Sequence, residues 1–143
     1  MQRKVALVAG ARGIIGQGIL EYLPGRDDWQ VIALARRPSD EPSHARFISV
    51  DLLEPRECKD KLGGLTDVTH VFYAAYKEQP TETGQVAVNG AMLRNLVEVV
   101  ETSAPGLAHI SPMQSTKAYG SQFGPFKMFR RKFAELREGR TIP

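Results

Sequence analysis

The sequence predicts an α/β fold in three layers (α/β/α), built on a parallel sheet whose strands, numbered along the chain, run in the order 3-2-1-4-5. Three observations lead there. Short apolar runs alternate with stretches of helical periodicity, the pattern of strands followed by covering helices. The first run, Val5 to Ala9, is followed at once by Gly10, Gly13 and Gly16 at steps of three, the mark of a strand that turns tightly into a helix. And 143 residues with 42% hydrophobic content suffice for one domain around one core, not for two.

The elements follow in order. A first strand covers 4–9, and a helix over 14–23 begins past the glycines and stops before Pro24-Gly25. Strands over 30–35 and 46–50 come next. A helix over 54–61 is entered at Glu54-Pro55, with proline in its first turn. After a strand over 69–74, a long helix over 84–102 carries Val86, Met92, Leu93, Leu96, Val97 and Val100 near the spacing of about 3.6 residues that buries one face. A strand over 107–111 completes the sheet. The domain is expected to span 1–126, with a separate tail over 127–143.

Composition excludes several function classes. Cys58 is the single cysteine, so there is no disulfide framework, and His44, His70 and His109 show no metal-ligand spacing. The net charge of +3 belongs to the tail: Lys127, Arg130, Arg131, Lys132, Arg137 and Arg140 against Glu135 and Glu138 give +4 there, leaving −1 for the rest. That distribution argues against a nucleic-acid groove. Gly10, Arg12 and Gly13 interrupt the first apolar stretch before it could serve as a signal peptide, and no run reaches membrane-spanning length. A reducing cytoplasm is the predicted compartment.

In a Rossmann-like turn of this kind, the first glycine makes the bend and the second lets backbone approach a ligand. The third lets the helix pack on the strand. The unpaired N–H groups of Ile14, Ile15 and Gly16 would then face a dinucleotide pyrophosphate, which the helix dipole also favours. The end of the second strand selects the cofactor: an acid there holds the ribose hydroxyl of NAD, an arginine the 2′-phosphate of NADP. Here it reads Ala35-Arg36-Arg37-Pro38, with Arg12 in the glycine loop as a third guanidinium, which favours NADP(H) over NAD(H). Asp51 and Leu52, after the third strand, have two readings. Asp51 accepts from the adenine amino group while Leu52 covers the ring, or Asp51 caps the helix that begins near Glu54. The small pair Ala74-Ala75 gives room where a cofactor passes the sheet edge.

With the glycine loop, "ARRP", "VDL", "LTDVTHVFYAAY", "VNGAMLRNLV" and "TKAYG…GPF" in this order, the sequence resembles the extended short-chain dehydrogenase/reductases, more narrowly the progesterone 5β-reductase/iridoid synthase-like group. The likeness runs from Val5 to about Phe126. It implies an NADPH-dependent reductase of the C=C bond of activated enones, with cofactor contacts at Gly10, Arg12, Gly13, Ile14, Ile15, Gly16, Arg36, Arg37, Asp51, Leu52 and Ala74. It also matches Lys117 to the family's active-site lysine. The family's catalytic tyrosine stands in an Asn-Phe-Tyr-Tyr segment downstream of Gly-Pro-Phe, and nothing in this chain aligns with it. Two other tyrosines invite assignment. Tyr73 and Lys77 form a Tyr-x-x-x-Lys string, but one that runs off a strand, where the two side chains do not share a helical face. Tyr119, near Lys117, reads as a loop tyrosine.

Beyond Phe126 the likeness ends. Phe126, Phe129, Phe133 and Leu136 fall on one side of an expected helix opposite the basic residues, and Gly139 stops it. Three explanations compete: the helix docks on the domain's own sheet, pairs with another chain such as a second copy, or is incidental translation after a frameshift or truncation. Core packing is favoured over binding a membrane surface or a calmodulin-like partner. The functional expectation is an NADP(H)-binding domain of an enone reductase, cut short before the catalytic tyrosine. The alternatives are a non-catalytic dinucleotide-sensing module and a truncated product without a role of its own.

Overall fold

Six apolar-rich residues, Lys4–Ala9, form the central strand β1, and all but Lys4 are buried. A strand covered on both faces reads as a continuous apolar run rather than an alternation, which is what Val5 to Ala9 supply. The computed structural model describes residues 3–26, 28–37 and 45–113. Along the chain the elements are β1, α1 (Ile14–Tyr22), β2 (Trp29–Ala35), β3 (Arg46–Ser49), α2 (Pro55–Leu62), β4 (His70–Tyr73), α3 (Glu82–Ser103) and β5 (His109–Pro112). The sheet is parallel throughout and ordered β3-β2-β1-β4-β5, as predicted. Register is set from β1, which runs beside β2 from Lys4 and Trp29 to Ala9 and Leu34, and beside β4 from Ala6 and His70 to Ala9 and Tyr73.

Side chains of β1 alternate between two cores. Val5, Leu7 and Ala9 join Cys58 and Leu62 of α2 and Leu96 and Val100 of α3 on one face. Ala6 and Val8 face the other side, with Leu23, Ile19 and Leu20 at and near the end of α1. That arrangement makes the three layers. All the described elements belong to the unit Met1–Pro112; a second unit comprises Met113–Pro143.

Element boundaries depart from expectation where local hydrogen bonds decide them. Helix α3 starts two residues early because the Thr81 hydroxyl caps it, accepting the Gly84 N–H at 3.0 Å. Strand β5 starts late because the Leu107 N–H turns back to the Ala104 carbonyl, and pairing begins only where Ala108 N–H reaches Thr69. Thr69 also closes the amino end of the sheet, its hydroxyl taking the Val5 N–H at 2.8 Å and donating to the Val5 carbonyl at 3.1 Å. Among the described residues no helix is long and apolar enough to cross a membrane. Lys117, Tyr119, the expected boundary at 126 and the amphipathic tail lie outside the described residues.

Candidate functional site

The turns that leave the carboxyl ends of β1 to β4 surround a cavity of about 470 Å³. Its walls are Gly10 to Gly13, Leu34 to Arg37, Val50 to Leu53 and Ala75 to Lys77, with Met92 of α3 closing one side. In open parallel sheets this end of the strands is where ligands bind.

The first wall depends on glycine. Gly10 has φ +75°, the left-handed region, and a Cβ there would lie 2.5 Å from the Ala74 carbonyl carbon. At Gly16 a Cβ would stand 2.1 Å from the Gly10 carbonyl oxygen, so the bare backbone of α1 rests on the turn itself. Gly13 is different: a Cβ would meet only the Gly10 oxygen, at 3.5 Å. It is the N-cap of α1 and offers no side-chain acceptor to the first-turn N–H groups. The turn is fixed to β2 by the Ala11 N–H on the Leu34 carbonyl at 3.2 Å.

The second wall is basic. Arg36 and Arg37 are exposed at the end of β2, and Ser49 Oγ donates to the Arg36 carbonyl at 2.8 Å, holding the segment against β3. Arg12 and Lys77 add two more cations to the lining, against the single carboxylate of Asp51. None of these four cations pairs with an acid among the described residues. Such a field suits a ligand with several negative charges.

The third wall is the β3–α2 turn. Asp51 Oδ1 accepts the Leu53 N–H at 3.0 Å, and the N-cap of α2 is Glu54, so Asp51 does not cap that helix. Its own N–H reaches Glu57 Oε1 at 3.2 Å, while Lys61 holds the Glu57 carboxylate at 2.8 Å and lowers its pKa. Behind the turn, burial pushes the Cys58 thiol up, so it stays a protonated core group.

A glycine-lined turn into a helix, a cationic rim and an acid after the third strand are the features of a dinucleotide site, and a model of the NAD dependent epimerase/dehydratase family matches residues 6–134. The chain belongs to that family. Within it, the chain is 37% identical over 133 residues to an (S)-8-oxocitronellyl enol synthase of Nepeta racemosa, covering 88% of this chain and 34% of that one. It is likewise 37% identical over 131 residues to a 3-oxo-Delta(4,5)-steroid 5-beta-reductase of Arabidopsis thaliana, covering 85% and 32%. The chain thus spans about a third of the length of the curated relatives it matches. Among solved structures, an aldohexose dehydrogenase of Thermoplasma acidophilum shares the fold with TM-score 0.71 at 19% identity, over 82% of this chain and 51% of that one. A short-chain dehydrogenase/reductase superfamily protein of Agrobacterium tumefaciens with bound NAD gives 0.64 at 19% identity, over 80% and 34%.

Of the residues singled out for the epimerase/dehydratase family's cofactor, the cavity brings together Gly10, Arg12, Gly13, Arg36, Arg37, Asp51 and Leu52. Ile14 and Ile15 stand outside its lining, 93% and 55% exposed at the start of α1, and Gly16 is buried beneath it. Ala74 is pressed against Gly10, its N–H still on the Ala9 carbonyl at 2.9 Å, so that Ala75 is the member of the pair that faces the cavity. Tyr73 lies in the core, 6% exposed, with its hydroxyl unpartnered among the described residues and its pKa pushed up to about 12 by burial, whereas Lys77 lines the cavity. Tyr76, Lys77 and Met92 were missed as lining residues. Met92 carried a signal, as an apolar residue on the long helix, but one that core packing explains equally well.

Proposed function

We propose that this chain forms the cofactor half of an NADP(H)-dependent reductase acting on the C=C bond of activated enones. The observation that carries the reading is the placement of Arg36 and Arg37 in the lining of the glycine-walled cavity, together with Arg12 and with no acid among the described residues of that turn. Planar guanidiniums at the end of the second strand suit a 2′-phosphate. The Gly10 and Gly16 contacts support a turn packed backbone on backbone, and at Gly13, where a Cβ would meet only the Gly10 oxygen at 3.5 Å, there is room for a pyrophosphate beside the N–H groups of Ile14, Ile15 and Gly16. Asp51 would accept from the adenine amino group with Leu52 over the ring, and Ala75, the small residue that lines the cavity, would give the cofactor passage. When bound, the cofactor supplies a hydride. Lys117, matched to the family's active-site lysine, would set the field at the substrate carbonyl, where negative charge gathers.

The test is a calorimetric titration of the 143-residue chain with NADPH and NADH. NADPH should bind more tightly. Arg36→Ala combined with Arg37→Ala should cost about 1.5–3 kcal/mol per lost charge-assisted bond, falling mostly on NADPH. Equal affinities for the two cofactors would refute the reading.

A further inference from the structure

Helix α3 sends two asparagines to two walls of the cavity. Asn89 grips the β4–α3 turn, its Oδ1 accepting the Lys77 N–H at 2.8 Å and its Nδ2 donating to the Lys77 carbonyl at 2.9 Å. Asn95 reaches the β3–α2 turn, its Nδ2 donating to the Leu52 carbonyl at 2.8 Å across 43 positions of sequence. The rest of that turn is held by its own neighbourhood: Glu57 on the Asp51 N–H, the Glu54 N–H on the Asp51 carbonyl at 3.1 Å, and the Leu53 N–H on Asp51 Oδ1. These bonds shape the turn but do not fix it relative to the far side of the cavity. Across the cavity the turn is tied to α3 by Leu52, buried in the same core as Leu96 and Val100, and by the Asn95 amide, which is the directional link of the two.

We propose that Asn95 is a positioning residue for base recognition: by holding the Leu52 carbonyl it sets where Asp51 presents its free carboxylate oxygen, Oδ2, to the 6-amino group of adenine. The proposal rests on the dinucleotide reading of the cavity. Leu52 is 6% exposed, so without the Asn95 amide its carbonyl lacks a protein partner in a place poor in water and the turn must shift to find one. A directional bond to one substituent of the base is lost by a small shift, whereas contacts of Arg36 and Arg37 on another turn are not. The signature is therefore a change in base preference with the phosphate preference kept, which a general loosening of the fold would not produce.

The experiment titrates the 143-residue chain and its Asn95→Leu and Asn95→Asp variants with NADPH, NADH and reduced nicotinamide hypoxanthine dinucleotide phosphate, each protein first shown to melt cooperatively. Both substitutions keep the side chain's size and remove the donor, so the aspartate variant carries the test if the leucine variant does not fold. The parent should prefer adenine over hypoxanthine by about tenfold or more, since the hypoxanthine carbonyl faces a carboxylate. The variants should retain less than about threefold of that preference while their NADPH-to-NADH ratio stays at the parent value. Full adenine preference in a folded variant, or equal weakening toward all three ligands, would overturn the role of Asn95 and leave the dinucleotide reading standing. A parent that binds all three without base preference would overturn the role of Asn95 alone, and a parent that binds none of them would overturn both.

Discussion

Gly13 and Gly16 belong to one motif, yet alanine at each should fail in a different way. At Gly16 the new Cβ would lie 2.1 Å from the Gly10 oxygen and 2.8 Å from both Ala11 Cα and the Gly10 carbonyl carbon. All three are backbone atoms in a turn already tied to β2, so relief requires α1 to lift from the sheet. Overpacking of this kind costs about 1–3 kcal/mol, and an obstruction made wholly of backbone belongs at the upper end or beyond. At Gly13 the nearest atom is 3.5 Å away and the backbone, φ −77° and ψ 169°, is open to alanine. The entropic gain and the poorer N-cap roughly cancel, leaving a change within about 0.5 kcal/mol. Thermal unfolding followed by circular dichroism separates the two, at about 3–5 °C per kcal/mol for a chain of this size. Gly16→Ala should therefore lose on the order of 10 °C or fail to fold, while Gly13→Ala melts within about 2 °C of the parent and binds NADPH more weakly. A Gly16→Ala protein with the parent's melting temperature would refute the packing argument. A Gly13→Ala protein with parental NADPH affinity would refute the view that this position faces the cofactor.

Two further outcomes follow from the cores. Tyr73→Phe removes a buried hydroxyl that has no partner among the described residues, so it should leave denaturant stability unchanged or raise it by up to about 1 kcal/mol, with NADPH affinity intact; a loss of stability or of binding would show a role for the hydroxyl. His70 has its pKa lowered by burial first and then by His109 and Lys4. The unfolded chain takes up that proton more readily, so stability is full above the unfolded value near 6.5 and declines as pH falls below it. His70→Gln should flatten that part of the stability profile, and an unchanged acid limb would assign it to other groups.

The fold was legible because its demands are local. Parallel strands buried on both faces read as the runs Val5 to Ala9 and Val31 to Leu34, and the tight exit from β1 admits little besides glycine at Gly10. The cavity's basic rim was legible for the same reason, since Arg36 and Arg37 directly follow a recognisable strand. What escaped is what depends on parity or on distance. Ala75 rather than Ala74 faces the cavity because the ladder continues one residue past β4, a matter of a single hydrogen bond. Asn89 and Asn95 escaped for a deeper reason: each acts on main-chain atoms of a residue 12 or 43 positions away, and any amino acid at position 52 would offer the same carbonyl. A side chain that recognises backbone leaves its signature on one partner only, so the sequence can present the asparagine but not its target. Where a cavity is walled by turns, such side chains tie separate walls to one helix, as Asn89 and Asn95 do for the turns at Lys77 and Leu52.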